Sequence, residues 1–110
     1  LTYSNESKME LLGVPPELLE RHGAVSEEVA RAMAQGARRR SAADYALAVT
    51  GIAGPTGGTS DKPVGLTYIA MDCETGTRVK HYRFLGNRGE NRLFATHAAL
   101  NLLRLGLMER

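Results

Sequence analysis

The side chain best suited to chemistry is Lys8, in the stretch Thr2-Tyr3-Ser4-Asn5-Glu6-Ser7-Lys8, one residue before an apolar helical run that Gly13 stops. A lysine can serve as a base or as a solvated surface charge, and its polar neighbours do not choose between the two. A serine three residues before it would give the Ser-x-x-Lys arrangement, in which the amine activates a hydroxyl on the same helix face. Asn5 stands at that position, so the simplest version is absent. Ser4 and Ser7 are close in sequence, but Tyr3 and Asn5 suggest that the segment before Lys8 is not yet helical. No residue is a convincing nucleophile.

A second candidate is the loop Gly51-Ile52-Ala53-Gly54-Pro55-Thr56-Gly57-Gly58-Thr59-Ser60. Glycine permits positive φ and close approach of backbone to a ligand, and loops leaving buried strands are where α/β folds place their sites. The spacing matches neither phosphate motif, because Lys62 is followed by Pro63 and then a strand, and Gly51 and Gly54 do not fit the dinucleotide pattern. A tight structural crossover is the alternative reading of this loop. His22, His81 and His97 have no mutual metal-ligand spacing and no local acidic cluster, so no metal site is expected. Cys73 stands alone beside a turn; it excludes an internal disulfide and is read as packing.

These residues must be positioned by one domain of 110 residues, long enough to bury a core without disulfide or metal. Hydrophobic residues at 43% and charged residues at 24% exclude a disordered chain. No apolar run reaches the roughly 20 residues that span a bilayer, and no basic-then-apolar leader opens the sequence, so a cytoplasmic location without membrane contact is expected. The net charge of +2 is mild, and the arginines are scattered apart from Arg38-Arg39-Arg40. That triplet closes a helix, where cations complement the dipole. With no aromatic platform, nucleic acid is not an expected partner.

Along the chain, Leu1 to Ser4 reads as the end of a strand, and Pro15-Pro16 opens a second helix ended by Gly23. Ser26 caps a third, amphipathic helix with Val29, Ala30, Met33, Ala34 and Ala37 on its apolar stripe. Tyr45 to Thr50 is a nearly continuous apolar strand of the kind buried on both faces. Val64–Met71 and Arg78–Leu85 form a hairpin about Glu74-Thr75-Gly76, the second strand nearer an edge. The last helix, from about Asn87–Glu90 to Leu105, leaves only a narrow polar stripe of Glu90, His97, Asn101 and Arg104. Such a helix suits a homo-oligomer or a well-covered core. The order implies an α/β fold: a mixed β-sheet with helices packed on both faces, an α/β/α sandwich.

Taken together, "YSNESKMELLGV", "GAVSEEVARAM", "ADYALAVTGIAGPTGGT", "KPVG" and "GNRGENR" resemble the C-terminal domain of the CinA family, the competence/damage-inducible proteins, over Tyr3 to Leu107. The resemblance implies a nicotinamide-nucleotide amidase, which hydrolyses nicotinamide mononucleotide to nicotinic acid mononucleotide and ammonia in NAD recycling, with serine-lysine logic and neither metal nor cofactor. It implies Lys8, Tyr3 and Thr50 as catalytic residues, and Gly51, Gly54 and Arg88 as substrate-binding residues, Arg88 for the phosphate. A lysine acting as base near neutral pH must have its pKa brought well below about 10.4 by burial or a neighbouring cation. The family's nucleophilic serine lies in an "ESCTGG"-like segment that these 110 residues do not contain. The expectation is therefore a single partial domain over 1–110, its N-terminal portion missing and itself inactive as an amidase. A nucleotide-binding or regulatory domain without chemistry is the alternative, and a structural or interaction domain a third.

Overall fold

The computed structural model describes residues 4–109, in the order α1 (Asn5–Leu12), α2 (Pro16–His22), α3 (Glu27–Ser41), β1 (Tyr45–Gly51), β2 (Leu66–Cys73), β3 (Gly76–Arg83) and α4 (Arg88–Met108). Helices α1, α3 and α4 each begin at a side-chain cap, and α2 opens on Pro15-Pro16. Ser26 Oγ accepts the Val29 N–H at 3.3 Å and opens α3, and Arg38, Arg39 and Arg40 fill its last turn. Asn87 and Glu90 form a reciprocal capping box at the start of α4. Ser4 caps α1 by accepting the Ser7 N–H at 3.1 Å. Asn5 is thus helical, contrary to the sequence expectation, and Ser4 is a structural cap. Gly13 closes α1 at φ 67, in the left-handed region where glycine carries no Cβ penalty.

The three strands form one sheet in the order β1-β2-β3, with both pairs antiparallel. Among the described residues the sheet has no parallel pair. The layered arrangement is as expected: α3 covers one face and α4 the other. On the first face Val29, Ala30, Met33 and Ala34 of α3 meet Ala48 and Ala70, with Val14 and Leu19 closing the end. On the second, Ala99 and Leu102 of α4 meet Ile69 and Met71.

The central strand is β2, and β1 lies at an edge of the described sheet. Ala46, Ala48 and Thr50 of β1 are buried, whereas Val49 and Gly51 are exposed. The apolar run at 45–50 is therefore fully buried on one face, while on the other Tyr45 and Leu47 pack half-buried against the second core and Val49 is exposed. Burial depends on which neighbours a strand acquires, and composition does not report that. The β2–β3 hairpin and its edge strand β3 match expectation, and Cys73 packs at the border of the second core. Among the described residues no helix is long and apolar enough to cross a membrane.

Candidate functional site

Helix α1 is set by its contact with α3. A Cβ on Gly36 would lie 1.6 Å from the Leu12 carbonyl oxygen, so only glycine lets the two backbones come this close. The consequence is the burial of Lys8, which is only 5% exposed. Desolvation disfavours the ammonium form and lowers its pKa from the ordinary lysine value of 10.5. This is the direction a lysine base requires.

Lys8 lines a cleft of about 610 Å³ shared with the end of β1 and the first half of α4. Thr50 and Gly51 line it from β1, Thr67 from β2, and Arg88, Asn91 and Arg92 from α4. The Thr50 hydroxyl donates to the Ala24 carbonyl at 2.7 Å, and the Thr67 hydroxyl to the Gly65 carbonyl at 3.1 Å. Both protons are committed to backbone acceptors, so each oxygen offers lone pairs to its surroundings. Such oxygens can accept from an ammonium or from a carboxamide N–H. They are poorly placed to act as nucleophiles.

The glycine-rich loop is fixed to α4 by side chains of that helix. Asn91, buried, donates Nδ2–H to the Ala53 carbonyl at 3.0 Å, while its Oδ1 accepts the Gly86 N–H at 3.0 Å. Arg88 donates from one guanidinium nitrogen to the Gly54 carbonyl at 2.9 Å. Gly54 lies at φ 93 and Gly51 sits where a Cβ would meet Thr67 Oγ1 at 2.8 Å, so both glycines are required by geometry. At its other end the loop is tied to α2, where the Lys62 ammonium donates to the His22 carbonyl.

Of the residues singled out from sequence, Lys8, Thr50, Gly51 and Arg88 converge on one cleft. Gly54 stands behind Arg88 as its acceptor, and Tyr3 lies outside the described residues. Sequence reasoning missed Thr67, Asn91 and Arg92. Asn91 and Arg92 belong to the "GNRGENR" stretch, whose helical spacing from Arg88 carried the signal; Thr67 had none beyond strand alternation. Cys73 and the turn of the hairpin are not among the residues that line the cleft.

The model of the CinA C-terminal domain matches residues 1–107 of the chain. A CinA-like protein of Geotalea daltonii is 54% identical over 110 residues, covering all of this chain and 27% of that protein. The chain thus spans about a quarter of the length of the curated relatives it matches. Among solved structures, competence/damage inducible protein CihA of Agrobacterium tumefaciens matches with a TM-score of 0.88 at 46% identity, over 94% of this chain and 64% of that one. A CinA superfamily protein of Escherichia coli matches with a TM-score of 0.89 at 37% identity, over 94% and 61%.

Proposed function

The chain belongs to the CinA C-terminal domain family, and from that premise we propose that it carries the base-bearing part of an amidase acting on nicotinamide mononucleotide. The observation that carries this reading is the convergence of buried Lys8 with Thr50, Gly51 and Arg88 on one cleft. In this reading Lys8, held toward its neutral form by burial, takes the proton from a serine hydroxyl as that oxygen attacks the carboxamide carbon. The serine belongs to the "ESCTGG"-like segment that the family resemblance implies and that is not among these residues. Thr50, its own proton given to Ala24, accepts from the lysine or the amide. The protonated lysine then gives its proton to the amide nitrogen, which leaves as ammonia, and a water that the same lysine deprotonates breaks the serine ester to release the acid.

The test is ammonia release from nicotinamide mononucleotide by a polypeptide that carries this domain together with the serine segment. Lys8→Ala is expected to lower turnover by roughly 10²- to 10⁴-fold, the usual contribution of a positioned base. Normal turnover by that variant would sink the reading. The 110-residue chain alone is expected to release no ammonia.

A second reading, nucleotide binding without chemistry, is favoured by one observation. The threonine hydroxyl protons at the cleft are committed to backbone carbonyls. It predicts thermal stabilisation by the mononucleotide and no product even with the serine segment present.

A further inference from the structure

Three cations border the cleft, Lys8, Arg88 and Arg92, and they are not equivalent. Lys8 is buried, and the reading above gives it to the reacting end of the substrate. Arg88 has a guanidinium nitrogen committed to the Gly54 carbonyl at 2.9 Å, where it holds the loop. Arg92 lies one helical turn further along α4 and is exposed. Among the described residues its guanidinium makes no hydrogen bond or ion pair.

The N-terminus of α4, the other electropositive feature here, is already occupied. The Glu90 N–H goes to Asn87 Oδ1 and the Asn87 N–H to Glu90 Oε1, each at 2.9 Å. That end therefore presents a carboxylate to an approaching anion, and the positive end of the helix dipole is already neutralised there.

We propose that Arg92 is the residue that binds the phosphate of a nucleoside monophosphate in this cleft, with Arg88 as a positioning residue that fixes the loop beside it; this rests on the nucleotide reading above. A phosphomonoester carries close to two negative charges at neutral pH, and a planar guanidinium meets two of its oxygens at once. Asn91 and Arg88 hold the loop carbonyls of Ala53 and Gly54 on one wall. The phosphate then sits at the mouth of the cleft and the pyridine ring points inward toward Lys8 and Thr50.

The test is calorimetric titration of the chain with nicotinamide mononucleotide and, separately, nicotinamide riboside, which lacks the phosphate. The unsubstituted chain is expected to prefer the mononucleotide. Arg92→Gln should weaken mononucleotide binding roughly 10- to 100-fold, the span of a lost charge-assisted hydrogen bond, and leave riboside binding unchanged. Arg92→Lys should recover part of the loss, because it restores the charge without the fork. Since Arg92 is exposed and makes no bond, an unchanged melting temperature is expected for both variants. The assignment is overturned if Arg92→Gln keeps the preference or if the unsubstituted chain binds both ligands equally. Absence of mononucleotide binding by the unsubstituted chain overturns the nucleotide reading as well, so the two failures are distinct.

Discussion

At the scale of single residues, the burial of Lys8 has a consequence that needs no substrate. The folded chain releases the Lys8 proton at a lower pH than the unfolded chain, whose lysine keeps its ordinary value of 10.5. Between those two values the unfolded state binds more protons, so stability rises with pH across that window. Below the window the buried ammonium opposes folding. Urea unfolding measured from pH 7 to 10 should therefore show a rise that Lys8→Met flattens; an identical slope in the variant would show that Lys8 is not desolvated. Thr50 makes a second test. Thr50→Val keeps the shape but leaves the Ala24 carbonyl without its 2.7 Å donor, and should cost about 1–2 kcal/mol in chemical denaturation. Thr50→Ser should recover most of that.

At the scale of elements, the position of the cleft depends on how closely α1 and α3 approach. Gly36 and Gly106 are both helical glycines with a tight space, and the type of neighbour separates them. A Cβ at Gly36 meets the Leu12 backbone at 1.6 Å, whereas one at Gly106 meets the Met71 side chain, Cε at 2.6 Å and Sδ at 2.9 Å. A methionine end can move, but a helix backbone cannot without shifting α1 and Lys8 with it. Alanine gains up to about 1 kcal/mol of helix propensity at either site. Gly36→Ala should nevertheless destabilise by about 2 kcal/mol or more, with α1 the first element to lose amide-exchange protection, while Gly106→Ala should stay within about 1 kcal/mol of the parent. This contrast also marks what was legible in the sequence. Ser26, Asn87 and the arginine triplet act within a few residues of themselves, and the helices they cap were readable. The exposure of Val49 in β1, the reach of Asn91 to Ala53 and the place of Thr67 in the cleft arise from contacts distant in sequence. Local pattern contains no record of them, and the family resemblance supplied only those site residues that its motifs named.

At the scale of the whole molecule, the same distinction bears on self-association. The radius of gyration is 13.4 Å, close to the value of about 13 Å expected for a compact chain of this length. Helix α4 spends Asn91, Ala95, Ala99, Leu102 and Gly106 on burial. It leaves Leu93, Leu100 and Leu107 exposed at 53%, 55% and 43%. A spacing of seven residues returns to nearly the same helix face, so these leucines form a second row beside the buried one. Each is about half covered already, so pairing with a second copy would gain about 1 kcal/mol per leucine, or about 6 kcal/mol across both copies. Association costs about 4 kcal/mol at the least. The balance, about 2 kcal/mol at best, predicts association no tighter than tens of millimolar. Sedimentation should therefore show monomer up to hundreds of micromolar, with small-angle scattering at that concentration giving the monomer radius. Leu100→Glu should leave both the sedimentation and the melting temperature unchanged, because that side chain contributes little to the monomer core. A species heavier than 11.9 kDa at micromolar concentration would show that self-association draws on more than the leucine row.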